Sequence, residues 1–145
     1  MQKNDAILSI KRIKESNSLP LPTYQQGNGL DLRTSVDIII KPGEKILIPT
    51  GFSLALPKNS VGIIKDRSGL AKKGLHVLAG VIDEDYRGEI GILMINLGEK
   101  TFYAKKGFRI AQLLILPTKK VKVVERKKLS STSRGKKGWG SSGLS

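Results

Sequence analysis

Apolar residues in this chain come in short runs, each closed by a turn signal, and helical periodicity is scarce. Ser35–Ile40 ends at Lys41-Pro42-Gly43, Lys45–Ile48 at Pro49-Thr50-Gly51, and Phe52–Leu56 at Pro57-Lys58-Asn59. Ser60–Lys65, Leu75–Ile82, Glu89–Leu97, Thr101–Ala104, Arg109–Leu116 and Val121–Glu125 continue the series. Such spacing predicts an all-β sandwich or barrel. From Ile90 to Leu97 both alternating faces are mostly apolar, so that strand should be covered on both sides. Ser68–Lys73 has room for one helical turn, and no repeat of fixed period is present.

The 145 residues suffice for one domain. With 39% apolar residues the chain can build a core. From Ser130 onward it is mostly Ser, Gly and Lys without apolar period. That composition predicts a β domain over residues 1–129 and a flexible arm over 130–145. Trp139 is out of place in such an arm, and a large amphipathic ring there implies a docking place. No run approaches the ~20 apolar residues of a membrane span, and no signal peptide is seen at the N-terminus. The expectation is a cytoplasmic protein without a membrane partner, with a nuclear or viral origin left open.

The absence of cysteine excludes disulfide scaffolds, thiol nucleophiles and Cys-ligated zinc or iron–sulfur clusters, and one histidine excludes a multi-histidine metal site within one chain. Lys and Arg exceed Asp and Glu by 26 to 12. Over half of the excess lies in residues 119–137, with nine basic groups and one acidic. Such a field attracts polyanions, and equally it keeps a tail solvated.

Five segments carry side chains with chemical potential. Gly29-Leu30-Asp31-Leu32 precedes a strand. Asp66-Arg67-Ser68-Gly69-Leu70-Ala71 sits at a strand end, where arginine, hydroxyl and backbone N–H groups suit phosphate oxygens. Ala79 to Gly88 reads as a hairpin with an acidic turn. Asp83 enters that turn from the apolar strand, so it should be the least solvated of Asp83, Glu84 and Asp85 and the candidate general base. In Gly107-Phe108-Arg109-Ile110-Ala111-Gln112, Arg109 and Gln112 are three apart, so strand alternation points them to opposite faces. Arg134 to Gly143 combines glycines, an arginine and Trp139, which suits a phosphate and a stacked base. Each segment alone is adequately explained as a turn, strand or linker. His76, in an apolar run, reads as structural.

Taken together, the ordered segments resemble the five motifs of the trimeric dUTPases, from about Leu19 to Gly143. The resemblance implies a β jelly roll (β-clip) in a homotrimer with active sites shared between subunits. It implies hydrolysis of dUTP to dUMP and pyrophosphate, which supplies dUMP for thymidylate synthesis and keeps uracil out of DNA. By carry-over, Asp83 activates the attacking water, and Tyr86 lies against the deoxyribose. Backbone groups of the Leu75–Asn96 hairpin, among them those of Gly80, Val81 and Met94, read the uracil edge. Arg67, Ser68, Gly69 and Gln112 hold phosphates, while Arg134, Gly135, Gly140 and Ser141 grip the γ-phosphate and Trp139 stacks on the base. Asp31 stands near a Mg2+ ion, through water. Departures are Asp66 where proline is common, Phe108 where an acidic or small polar residue is, Trp139 for phenylalanine and Ser142 for threonine. A dCTP deaminase of the same fold would need a glutamate where Leu93 stands. A third reading, from another class, is a nucleic-acid-binding module using the basic tail, whose contact with DNA would be non-specific.

Overall fold

In strand β8 (Glu89–Asn96) every second residue is buried, and Ile90, Ile92, Met94 and Asn96 all point into the core. That alternation is the period of two that a pleated strand imposes. The computed structural model describes residues 6–14, 17–25, 27–136 and 138. The other strands are β1 (Ser9–Arg12), β2 (Leu30–Arg33), β3 (Ile38–Ile40), β4 (Lys45–Ala55), β5 (Ser60–Asp66), β6 (Leu75–Val77), β7 (Val81–Ile82), β9 (Phe102–Ala104) and β10 (Arg109–Pro117). One four-stranded sheet has the order β1-β4-β8-β6, another β2-β10-β5-β7, and β3 pairs with β9 in a separate ribbon. All pairings are antiparallel. Inward side chains of both four-stranded sheets meet in one cluster, with Leu32, Ile64, Ile110 and Leu113 from one and Ile48, Ile90, Ile92 and Met94 from the other. Burial of each such side chain contributes ~1.5–3 kcal/mol. The expected all-β class is what forms, and the single helical turn α1 (Ser68–Ala71) falls where room was seen for it.

Several local expectations are corrected. Pro49-Thr50-Gly51 is no turn: β4 runs through it with a bulge, pairing Pro49 with Gly91 and Ser53 with Glu89. The bulge deprives Ile90 of a ladder partner, and Thr50 Oγ1 donates to the Ile90 carbonyl at 2.7 Å instead. The Gly51 N–H donates to Glu89 Oε1 at 2.7 Å. Leu75–Ile82 is two strands, β6 and β7, separated by a corner at Ala79 and Gly80, both at positive φ. The strands flanking the acidic turn do not pair with each other. β7 pairs with β5 in the second sheet, while β8 takes β6 as its hairpin partner. Val121–Glu125 forms no strand and is exposed throughout, because no neighbouring strand within the protomer receives it. The outer face of β8 is only half-buried, and Leu47 and Leu97 beside it are exposed, so cover on both sides is not achieved within one protomer. Two strands escaped the reading, β1 and β2, the latter containing Asp31 rather than following it.

The strand end at Asn96 shows how loops are fixed. Its buried amide donates to the carbonyls of Ile40 and Lys100, each at 2.8 Å, and its Oδ1 accepts from the Gly98 N–H at 2.9 Å. One polar side chain thereby ties β8 to β3 and to the turn before β9.

Candidate active site

β2, β10 and the end of β5 are adjacent in one sheet, and their side chains form a polar cleft of ≈ 550 Å³. Gln25, Gly29, Asp31, Arg67, Ser68, Gly69, Arg109 and Gln112 line it. At its floor, Asp31 Oδ1 lies 3.2 Å from Arg67 Nε, and Oδ2 lies 3.0 Å from Arg109 Nη1. Arg67 Nη1 also donates to the Arg109 carbonyl at 3.3 Å. Asp31 is only 12% exposed, whereas the arginines are 31% and 38% exposed. A guanidinium carries five N–H donors, so each arginine keeps several beyond those spent on the floor. The arrangement is a preoriented pair of cations that presents donors to an incoming polyanion.

Gln112 shares this cleft with Arg109, against the expectation that they face opposite ways. The register of β10 against β2 slips between Arg109 and Ala111, and this bulge rotates the two residues onto one face. The adjacent buried pair Ile110-Ala111 is the sequence hint, since it breaks alternation. Gln112 Nε2 donates to the Asp66 carbonyl at 2.8 Å. A Cβ at position 29 would meet the Gln112 amide oxygen, so Gly29 leaves the space that this side chain fills. Arg109 and Gln25 are cleft residues that sequence reasoning had not assigned to a site, and for Gln25 no sequence signal existed.

A second, shallower cleft of ≈ 230 Å³ is lined by Leu47, Val81, Ile82, Asp83, Tyr86, Glu89 and Gly91. It shares no lining residue with the first. Asp83 is exposed here, and Glu84 is the more buried carboxylate, contrary to expectation. β7 lasts two residues at a sheet edge, so Asp83 has already left the strand for the turn closed by the Tyr86 N–H to the Asp83 carbonyl. Glu84 instead folds back to accept the Asn59 N–H at 2.9 Å. Tyr86 is held by its hydroxyl, which donates to the Glu89 carbonyl at 2.9 Å, and its ring occupies the space that a Cβ at Gly88 would need. Gly80, at φ +92°, lies so close to β5 that a Cβ would stand 2.8 Å from the Ile64 carbonyl oxygen. The Gly80 carbonyl in turn accepts the Ile64 N–H at 2.8 Å.

The remaining expected residues fall elsewhere. Contrary to expectation, Met94 is closed to a ligand within the protomer: it is 1% exposed and lies in the middle of a sheet, opposite Ile46 of β4 on one side and Val77 of β6 on the other. Arg134 and Gly135 lie on the exposed C-terminal segment, where the Gly135 N–H donates to the Thr132 carbonyl at 3.1 Å. Trp139, Gly140 and Ser141 lie outside the described residues.

The dUTPase family model matches residues 15–143. The chain belongs to the dUTPase family. A deoxyuridine 5'-triphosphate nucleotidohydrolase of Clostridium tetani is 50% identical over 139 residues, covering 94% of this chain and 96% of its own. The enzyme of that name from Hydrogenobaculum sp. is 45% identical over 141 residues, covering 94% and 98%. Among solved structures, the dUTPase of Staphylococcus bacteriophage 80alpha with dUpNHpp has a TM-score of 0.86 at 27% identity, covering 95% of this chain and 99% of that one. Within this family framework, the five segments named from the sequence are the first two and the fourth in the polar cleft, the third at the second cleft, and the fifth on the C-terminal segment.

Among the described residues no group of three or more His, Cys, Asp or Glu could hold a metal. Asp31 is the one carboxylate lining the polar cleft, and both of its oxygens are engaged by arginine. Each oxygen retains a second lone pair. The donor set therefore fits a metal-bound water at Asp31 and does not fit direct protein coordination.

Proposed function

We propose that this chain hydrolyses dUTP to dUMP and pyrophosphate, with the polar cleft receiving the phosphates and Asp83 activating water. The observation that carries this reading is the Asp31-braced pair Arg67–Arg109, preoriented beside Ser68, Gly69 and Gln112 in a cleft built from three family motifs. Both named relatives are deoxyuridine 5'-triphosphate nucleotidohydrolases.

The triphosphate brings several negative charges, so catalysis depends on neutralising them while water attacks in line. Arg67 supplies charge and directional N–H donors, with Arg109 beside it. The Ser68 hydroxyl, the Gly69 main chain and the Gln112 amide fix phosphate orientation. Asp83 takes a proton from the water, the water oxygen bonds to the α-phosphorus, and pyrophosphate leaves with the bridging oxygen. Asp31 would hold a Mg2+ ion through a metal-bound water, and the ion would supply neutralisation of phosphate charge.

Tyr86, locked by Glu89 and Gly88, presents its ring to the deoxyribose and leaves no space for a 2′-hydroxyl. Main-chain groups of Gly80 and Val81, beside the second cleft, read the uracil edge. A cytosine edge would leave those groups unpaired, which is the costlier form of mismatch.

The clefts are lined by disjoint sets of residues. This supports a homotrimer in which a site takes Asp83 from one chain and other parts from its neighbours. From Leu116 onward every described residue is exposed, consistent with a segment that leaves its own domain to serve another. Residues 130–145 are then the arm, with Arg134, Gly135, Gly140 and Ser141 at the γ-phosphate and Trp139 over the base. Asp83→Asn should abolish pyrophosphate release while retaining dUTP binding with Mg2+. Activity within tenfold of wild type would remove Asp83 as the base.

The deaminase alternative is not favoured: Leu93 stands where its glutamate is required, and no carboxylate of β8 other than Glu89 is present.

A further inference from the structure

Asp66, the last residue of β5, immediately precedes the Arg67-Ser68-Gly69 loop and joins it to two other strands. Its Oδ1 accepts the Val77 N–H at 2.6 Å, and its Oδ2 lies 2.7 Å from His76 Nδ1. Its main-chain carbonyl accepts Gln112 Nε2 at 2.8 Å. Oδ2 accepts from Nδ1 in the His76 tautomer that carries its proton there. His76 and Val77 belong to β6, the edge strand of one sheet, whereas Asp66 and Gln112 belong to the other. The carboxylate thus gives the open side of β6 a charged partner and bridges the two sheets. The pair is accessible enough to be altered without disrupting the core, with His76 45% and Asp66 20% exposed.

We propose that Asp66 and His76 form a positioning pair for the phosphate cleft. They anchor the Arg67–Ser68 loop and the Gln112 amide on β6, so that the donors converge before the ligand arrives. The inference rests on the dUTP reading above. Neither residue touches substrate; both act through Arg67, Ser68 and Gln112. If the loop and Gln112 lose this anchor, binding of the phosphate end weakens and binding of the base end does not.

The test uses the full-length protein in Asp66→Ala, Asp66→Asn and His76→Gln forms. Calorimetry with Mg2+–pyrophosphate and inhibition of dUTP turnover by deoxyuridine report the two ends separately. Asp66→Ala should weaken pyrophosphate at least tenfold and raise the KM for dUTP in parallel, with deoxyuridine inhibition unchanged within twofold. Asp66→Asn should stay within threefold of wild type, because its oxygen still accepts from Val77 and its amide donates to the other His76 tautomer. His76→Gln, at a half-exposed position, should fold and show an intermediate loss for pyrophosphate. Unchanged pyrophosphate affinity in Asp66→Ala, or equal weakening of pyrophosphate and deoxyuridine, would overturn the proposal. Wild-type protein that binds pyrophosphate but releases none from dUTP would instead overturn the parent reading.

Discussion

Replacing Asp31 with asparagine should slow turnover while leaving attraction for phosphate intact. The carboxylate braces Arg67 at 3.2 Å and Arg109 at 3.0 Å and is itself only 12% exposed. Without its charge, two guanidinium groups are left near each other with one neutral acceptor between them. A hydrogen bond to a charged group contributes ~1.5–3 kcal/mol, and partial exposure of both arginines places this loss at the low end, ~1–2 kcal/mol. For a chain of this size that corresponds to a fall in Tm of about 3–6 °C. The catalytic effect should be larger. Arginines no longer held in place misorient the α-phosphorus, and a displacement of ~1 Å can cost about 100-fold in rate. A fall in kcat of ~10–100-fold, or ~1.4–2.7 kcal/mol of barrier, is expected. KM should hardly rise, because the variant cleft is one charge more positive. Steady-state pyrophosphate release with Mg2+, beside a thermal melt, measures all three quantities. A KM increase of tenfold with kcat unchanged would mean that Asp31 serves binding alone, and the bracing argument would fail. Wild-type kcat and Tm together would refute it outright.

Other outcomes follow from single residues. Gly80→Ala places a Cβ 2.8 Å from the Ile64 carbonyl at positive φ, and should destabilise by more than ~1 kcal/mol in denaturant unfolding. Asn96→Ala leaves the Ile40 carbonyl and the Gly98 N–H without their partner, and should cost ~2–4 kcal/mol by the same measurement. Tyr86→Ala should narrow the ratio of kcat/KM between dUTP and UTP; an unchanged ratio would move sugar selection elsewhere. Lys105 Nζ donates to Asp37 at 2.7 Å, and this bond together with the Lys106 N–H holds the Asp37 carboxyl below its ordinary range. A lowered folded pKa gives stability that is full above the unfolded value and lost as pH falls through the folded one. The Tm gap between wild type and Asp37→Asn should therefore be present at neutral pH and close on acidification through that range.

Short apolar runs made the all-β class readable, but Ile90, Ile92 and Met94 are matched by Leu93 and Ile95 on the other face, so which face of β8 is buried was not. Punctuation was less reliable. Pro49-Thr50-Gly51 has the composition of a turn, yet β8 lies alongside and Thr50 can satisfy the Ile90 carbonyl, so tertiary pairing makes it a bulge. The site followed the same division. Arg67, Ser68, Gly69 and Gln112 were named from their motifs, and all four line one cleft. Arg109 and Gln112 were expected on opposite faces, and a one-residue slip against β2 brings them onto the same one. Asp83 was expected to be the least solvated carboxylate, a claim that assumed a strand longer than the two residues of β7. Val121 and Val123 have strand-like spacing and are exposed, and among the described residues no strand forms there. For a segment of that kind, local sequence carries the propensity and the assembly decides the outcome.

Substrate choice among nucleotides puts the proposed reaction to its most direct test. Purified protein with Mg2+ should be given dUTP, dTTP, dCTP and UTP in parallel, with pyrophosphate and ammonia release both followed. Pyrophosphate from dUTP with kcat/KM at least 100-fold above the other three, and no ammonia from dCTP, is the expected result. Comparable turnover of all four nucleotides would contradict readout of uracil and deoxyribose, and ammonia from dCTP without pyrophosphate from dUTP would contradict the reaction itself.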